Sequence, residues 1–153
     1  QALEDARLYN DNLGGPKKQK ELGLKYEEML NLADNGIMGY IEIPKISVSL
    51  VINHSIEENV LQKGIGHLPE SHLPIGGENT HSVLAGHTGL PSAKLLTNID
   101  HLKVGDDFYI HILDEVLMYR IDDMLNGRYL SSQTPARVMI DNIAIPTIEP
   151  SIG

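Results

Sequence analysis

The chain has 153 residues, a formal net charge of −9 and no cysteine. This length suits one domain with a single buried core. The charge excludes a nucleic-acid binder, which needs a basic face, because the basic cluster Lys17, Lys18 and Lys20 is followed at once by Glu21. Without cysteine, disulfides, thiolate zinc sites and thiol catalysis are excluded as well.

The first 38 residues are predicted to form an N-terminal helical segment. A Gly-Gly-Pro break at 14–16 divides it, and residues 17–32 are predicted to form one helix. The apolar side chains of that helix fall on one stripe at helical spacing: Leu22, Tyr26, Met29 and Leu30. The turn-forming run Asp-Asn-Gly at 34–36 ends the segment.

From Gly39 the apolar period changes from helical to two, which predicts strands. We therefore expect a mainly β domain over 39–153, arranged as a small, mostly antiparallel barrel. The predicted strands cover 40–43, 46–52, 64–68, 81–85, 107–112 and 116–121, with short helices at 56–61 and 92–96. Two further short strands, 137–140 and 142–145, are expected after a turn at 125–128, and the last residues are expected to form a loose tail.

Seven histidines raise the question of a metal site. No pair has the spacing of a His-Glu-x-x-His helix, and histidines scattered over a β fold are more often exposed or hydrogen-bonded. A serine hydrolase would need a Gly-x-Ser-x-Gly elbow, which is absent, although Ser82 and Ser92 lie near His87 in sequence. No phosphate-binding glycine loop occurs, so we expect no metal and no cofactor.

His87 is the histidine whose surroundings favour a functional role. It follows the predicted strand at 81–85 and lies between Gly86 and Gly89, which leave room around it. Polar side chains at strand exits are well placed to meet a substrate, so we expect His87 at the rim of a groove.

The run from Thr80 to Leu96 reads Thr-His-Ser, an aliphatic strand, Gly-His, and then Gly-Leu-Pro-Ser-Ala-Lys-Leu-Leu. This run resembles the histidine segment of class C sortases, the enzymes that polymerise pilins. The resemblance also covers 39–46, 60–68 and 102–110, and it continues through the hairpin to about Asp123.

The resemblance implies a sortase-like β-barrel with N-terminal helices. It also implies a reaction in which a cysteine attacks a sorting signal and an amine, usually a pilin lysine, resolves the thioacyl enzyme. The histidine at the position of His87 would handle the amine protons, and an arginine would stabilise the oxyanion. The implied partners are pilin subunits or sorting-signal peptides, and the implied location is the extracellular face of the membrane, at the cell surface of a Gram-positive bacterium. Any membrane anchor is expected outside these residues.

Two parts of the family pattern are missing. The cysteine and arginine segments are absent. The run Gln-Thr-Pro at 133–135 faintly resembles the Cys-Thr-Pro of the family, with Gln133 in place of the cysteine. The arginines Arg120, Arg128 and Arg137 match no family motif. The Asp-Pro-aromatic motif of the N-terminal lid is absent too. We therefore expect altered or incomplete C-terminal strands and no transpeptidase activity in this chain.

Several interpretations of this pattern stay open. A frameshifted gene, a pseudoenzyme or a piece separated from its catalytic segment would each produce it. The chain could instead be a non-catalytic module that binds pilins or sorting signals, or a metal-dependent or serine hydrolase on the same barrel.

A barrel without its last strands would expose unpaired backbone groups. We expect residues 137–145 to fold back as substitute strands, and the alternative is a dimer in which two chains share strand edges.

Overall fold

The computed structural model describes residues 1–61, 64–77, 79–88, 101–125, 128–131 and 137–144. For residues 87, 88, 125, 128–131, 137, 139 and 141–144, it describes the backbone alone. The predicted helical turn at 92–96, Gln133, and the tail after Ala144 lie outside the described residues.

The N-terminal segment contains two helices and a short 3₁₀ turn. Helix α1 spans Ala2–Asp11, α2 spans Pro16–Glu21, and the 3₁₀ turn spans Tyr26–Glu28. None of the helices in the described part is long and apolar enough to cross a membrane.

The single helix predicted over residues 17–32 is wrong, because Gly23 ends α2. The φ of Gly23 is +72°, in the left-handed region that glycine adopts without strain. Its N–H donates to Lys20 O, and the N–H of Leu24 donates to Gln19 O. These two bonds form a Schellman cap, which satisfies the last carbonyls of the helix and turns the chain away.

Among the described residues, eight strands follow, with one short helix between the second and third. Their bounds are β1 Ile37–Ile43, β2 Val48–His54, α3 Glu58–Leu61, β3 Ile65–His67, β4 His81–Thr88, β5 Asp107–Ile112, β6 Glu115–Leu125, β7 Arg128–Ser131 and β8 Arg137–Ala144. A 3₁₀ turn at Pro44–Ile46 ends β1, as the proline predicts.

The strands close into a barrel in the order β1-β2-β3-β4-β8-β7-β6-β5, and β5 pairs again with β1. Two neighbouring pairs are parallel, β2 with β3 and β4 with β8, and the others are antiparallel. The mainly β, mostly antiparallel barrel expected from the sequence is therefore confirmed.

The C-terminal strands close this barrel. The stretch predicted as two short strands is one continuous strand, β8, which pairs with β4 along eight positions and with β7 along three. The expectation that residues 137–145 fold back as substitute strands is thus confirmed up to Ala144. Because every described strand has two neighbours, the physical reason for a strand-sharing dimer disappears.

The barrel interior is aliphatic, as the single Phe and the absence of Trp predict. Ile41, Ile52, Leu84 and Ile110 are fully buried, in phase with the two-residue alternation of their strands. Phe108 stacks on Tyr119, with ring centroids 5.4 Å apart. Burial of these apolar side chains is the main source of stability.

Helix α1 packs outside the barrel and is fastened to it by Asn10. The Asn10 side chain donates to Leu73 O at 3.2 Å and accepts from the Leu73 N–H at 2.8 Å. Ala6 and Tyr9 on the same helix are buried in the core cluster. Helix α2 has no buried residue, so its lysines face solvent.

Candidate functional site

His87 is the next-to-last residue of β4. The strand was predicted to end at Ala85, with His87 in the loop beyond it, and this detail is wrong. Parallel pairing with β8 continues to Thr88 opposite Ala144, and this ladder keeps the chain extended past the histidine. The backbone of His87 is therefore held in a strand by its pairing with Ile143 and does not lie in a free loop.

The residue paired with His87 on β8 is Ile143, and Asp141 is paired with Ala85. The whole of β8 reads Arg-Val-Met-Ile-Asp-Asn-Ile-Ala, with neither a thiol nor a hydroxyl. The strand that lies beside the histidine therefore offers neither a thiol nor a hydroxyl to form a thioester or an ester with a substrate.

The three arginines considered from the sequence lie at different levels of this barrel. Arg120 lies on β6, 57% exposed, with its Nε 2.9 Å from Asp107 Oδ1, and this hydrogen bond raises the pKa of Arg120. Arg137 pairs with His81, at the opposite end of β4 from His87.

Arg128 is the arginine nearest to His87 in register. It begins β7 and pairs with Asp141, which in turn pairs with Ala85, two residues from the histidine. Sequence reasoning left Arg128 among three equal candidates, because the pairing of β7 with β8 is not encoded in any local pattern.

A second constellation, Ser71, His67 and Tyr26, has the outline of a catalytic triad. The Nε2 of His67 lies 3.1 Å from Ser71 Oγ, and its Nδ1 lies 2.9 Å from the Tyr26 hydroxyl. His67 is completely buried on β3. Whether such a line of groups can act as a triad depends on which atoms carry the hydrogens.

The hydrogens of the His67 ring and the Ser71 hydroxyl are donated to backbone carbonyls. His67 Nε2 lies 2.7 Å from His72 O, and a carbonyl only accepts, so this nitrogen carries the hydrogen. Ser71 Oγ donates to Leu68 O and accepts from the Val83 N–H. The histidine nitrogen that faces the serine is therefore a donor and cannot act as its base.

Burial explains the ionisation of His67. Removal from water disfavours the charged ring and lowers the pKa of His67 to about 4. The hydrogen bond to His72 O opposes this lowering in part, and the nearby imidazoles of His54 and His72 add to it. The ring is neutral at physiological pH, and its Nδ1 accepts a hydrogen bond from the Tyr26 hydroxyl. The hydrogen bonds of Tyr26, His67 and Ser71 are therefore structural, and the bond between Tyr26 and His67 holds the N-terminal segment against the barrel.

The side chains of His54, His72 and His111 also take part in hydrogen bonds. The ring of His54 contacts Gly36 O and Met29 O, and His72 Nδ1 accepts from the His81 N–H. His111 lies 3.0 Å from Glu42 and stacks on Tyr40. In the described part of the chain, no three His, Asp or Glu side chains converge as a metal site would require.

Ser82 does not pair with His87. It is 2% exposed, and its Oγ has no hydrogen-bond partner among the described residues. Ser82 and His87 lie five positions apart on one strand, and an odd separation places two strand positions on opposite faces of the sheet. Ser92, the other serine near His87 in sequence, lies outside the described residues.

The comparisons with known proteins agree with this architecture. Residues 41–140 match the family described as Sortase, sortase domain. This match covers more than half of the chain, and the chain belongs to the sortase family.

The solved structures similar to this chain include three class C sortases. Sortase C1 from Streptococcus agalactiae is 35% identical, with a TM-score of 0.71 over 90% of this chain and 78% of its own. Sortase C-1 from Streptococcus pneumoniae is 33% identical, with a TM-score of 0.70 over 96% of this chain and 81% of its own. Sortase C-1 from Actinomyces oris is 30% identical, with a TM-score of 0.70 over 91% of this chain and 87% of its own.

A curated relative, sortase D of Bacillus subtilis, is 43% identical over 49 residues. The match spans 32% of this chain and 24% of that relative's length.

Proposed function

We propose that this chain is a class C-type sortase barrel that keeps the histidine position of the family and does not catalyse transpeptidation. One observation carries the proposal: β8, the strand paired with His87, contains no thiol or hydroxyl, and the whole chain contains no cysteine. A thioacyl intermediate requires a thiolate, and the family resemblance supplies no other nucleophile.

A turnover assay tests this proposal. The chain is mixed with a sorting-signal peptide and an amine acceptor, and cleaved and ligated products are separated by liquid chromatography. The expected result is no product above the rate without protein. An active class C sortase in parallel shows that the peptide and acceptor are competent. Ligated product from this chain, absent in a His87→Ala variant, would contradict the proposal.

The second candidate function is binding without chemistry. In the family pattern, the barrel is closed by a strand with the cysteine and a strand with the arginine; here β8 and β7 complete the closure. In the closed barrel, β4 stays paired with β8 up to Thr88. This continuous sheet beside His87 supports the proposal that the barrel still forms the floor of a peptide-binding groove. The proposed ligands are sorting-signal peptides or pilin subunits, at the Gram-positive cell surface.

Arg128 is the residue that we propose as the cationic contact in that groove, because its register lies near the level of His87. An anisotropy titration with a labelled sorting-signal peptide compares Arg128→Ala with the matched variant Arg137→Ala at the far end of the same seam. Arg128→Ala should weaken binding about fivefold or more, as expected for one lost charge-assisted hydrogen bond, and Arg137→Ala should not. No binding by the unmodified chain would refute the binding function, and equal effects of the two variants would refute the role proposed for Arg128.

A further inference from the structure

An exposed leucine lies between two cavities on the side of the barrel away from His87. Leu32 is 74% exposed. A cavity of about 280 Å³ and another of about 220 Å³ are both lined by Leu32 and by the buried Leu30. The first borders α1 and the second borders β1, which lies four strands from β8 in the closed order. This face is thus separate from the seam between β4 and β8.

Both cavities have apolar side chains in their walls, and half of the residues that line the first are polar. Ala2 and Met29 line the first cavity, and Ile37, Met38 and Leu113 line the second. An apolar cavity of roughly 150 Å³ is enough to hold a benzene ring, so each of these has room for one aliphatic side chain. An exposed apolar side chain with a cavity on either side is a surface on which a partner side chain gains burial.

The loop that carries Leu32 is fastened at both ends to His54. The His54 backbone N–H donates to Gly36 O at 2.9 Å, and its ring Nε2 lies 2.6 Å from Met29 O, at the other end of the loop. Within the loop, Asn31 Oδ1 accepts the Gly36 N–H. A surface fixed before binding loses little entropy when a partner docks, so the exposure of Leu32 is a standing feature of the fold.

Charge identifies the kind of occupant. The first cavity is lined by Asp5 and Glu28, and neither cavity is lined by a lysine or arginine. A second copy of a chain with net charge −9 would bring more negative charge to this face and is an unfavourable occupant. A lysine or arginine beside Asp5 and Glu28 would be favourable.

We propose that Leu32 and its two flanking cavities form a docking site for a partner protein segment with two aliphatic side chains and an adjacent lysine or arginine. The aliphatic side chains fill the cavities on either side of Leu32, and the cation lies beside Glu28. The site is independent of the proposed function at the β4–β8 seam.

The test uses two acetylated, amidated peptides, Leu-Gly-Leu-Lys and Leu-Gly-Leu-Glu, titrated to several millimolar into the nitrogen-15-labelled full chain. The lysine peptide should shift the amide signals of Leu32 and Gly39 and bind about threefold more tightly than the glutamate peptide, as one exposed ion pair allows. Leu32→Glu should weaken binding about tenfold. Glu28→Lys should reverse the preference between the peptides.

Val104→Glu is the matched control, because Val104 is 59% exposed and lines neither cavity, and the neighbouring Gly105 N–H donates to Ile121 O at the end of the β5–β6 hairpin away from Leu113. It should leave peptide binding unchanged, and circular dichroism checks that each variant keeps the fold. Equal affinity for the two peptides, no shifts at all, or insensitivity to Leu32→Glu would overturn the proposal. Light scattering that shows a dimer dispersed by Leu32→Glu would replace the partner with a second copy and would overturn it too.

Discussion

Two histidines in this molecule lie in contrasting regions. His67 on β3 is fully buried, and each of its ring nitrogens has a short hydrogen bond. His87, near the end of β4, lies beside a strand with neither a thiol nor a hydroxyl for it to activate. The contrast shows that the outline of a triad and the motif of a family are each insufficient, and that the protons and nucleophile available decide what a histidine does.

The largest expected effect is on stability when His67 is removed. His67→Ala leaves a cavity and strips the Tyr26 hydroxyl and His72 O of their partner, so we expect unfolding to become easier by about 3 kcal/mol. His87→Ala, at a proposed groove rim, should change stability by less than about 0.5 kcal/mol. Urea unfolding of both variants measures the difference. Equal costs would remove the contrast between the two histidines.

The pH dependence of stability sharpens the same contrast. The pKa of His67 is about 4 in the folded chain, below its usual 6.5, so the unfolded chain takes up this proton first as the pH falls. The folded state should therefore lose stability from pH 6.5 down to about 4, by ~3 kcal/mol in total.

His67→Gln, which has no proton to gain, should lack this part of the acid slope. The comparison is the difference between the unmodified chain and the variant, since carboxylates titrate in both. Parallel acid profiles would mean that His67 is not buried as a neutral ring.

A smaller effect on stability is expected when Tyr26, the hydrogen-bond partner of His67 in the N-terminal segment, is changed. Tyr26→Phe leaves His67 Nδ1 and the Ser55 N–H without their shared partner, the tyrosine hydroxyl. We expect a loss of about 1–2 kcal/mol, and a double-mutant cycle with His67→Gln should show coupling above about 0.5 kcal/mol. Strict additivity of the two changes would show that the hydroxyl and the ring do not act together.

The register beside His87 can be tested with almost no effect on stability. Because the chain has no cysteine, two introduced thiols can pair only with each other. Ala85→Cys with Asp141→Cys, a registered pair, should oxidise to an intramolecular disulfide, since neighbouring strand positions are within disulfide reach. Ala85→Cys with Asn142→Cys, one residue out of register, is the control. Mass spectrometry after oxidation reads the outcome, and equal cross-linking of both pairs would contradict the seam.

The sequence predicts those parts of the fold that depend on local pattern. Alternation gives β1, β2 and the β5–β6 hairpin to within a few residues, and the break from helical to strand period falls near Gly39, two residues after β1 begins. The histidine motif directs attention to His87 before any coordinates are considered.

The parts that the sequence does not give depend on distant contacts. The end of α2 depends on the left-handed Gly23, and the position of Tyr26 depends on His67, 41 residues later. The pairing of β4 with β8 joins residues far apart in the chain, and no local signal sets its register. The level of Arg128 near His87 follows from that pairing together with the pairing of β7 with β8.

The most direct test of the central claim is the intact mass of the chain after incubation with a sorting-signal peptide. A transpeptidase of this family passes through a covalent acyl enzyme, which raises the mass of the protein by that of the peptide fragment. We predict an unchanged mass and intact peptide, while an active class C sortase treated identically shows the adduct. An acyl adduct on this chain would contradict the account, and its position would identify the nucleophile.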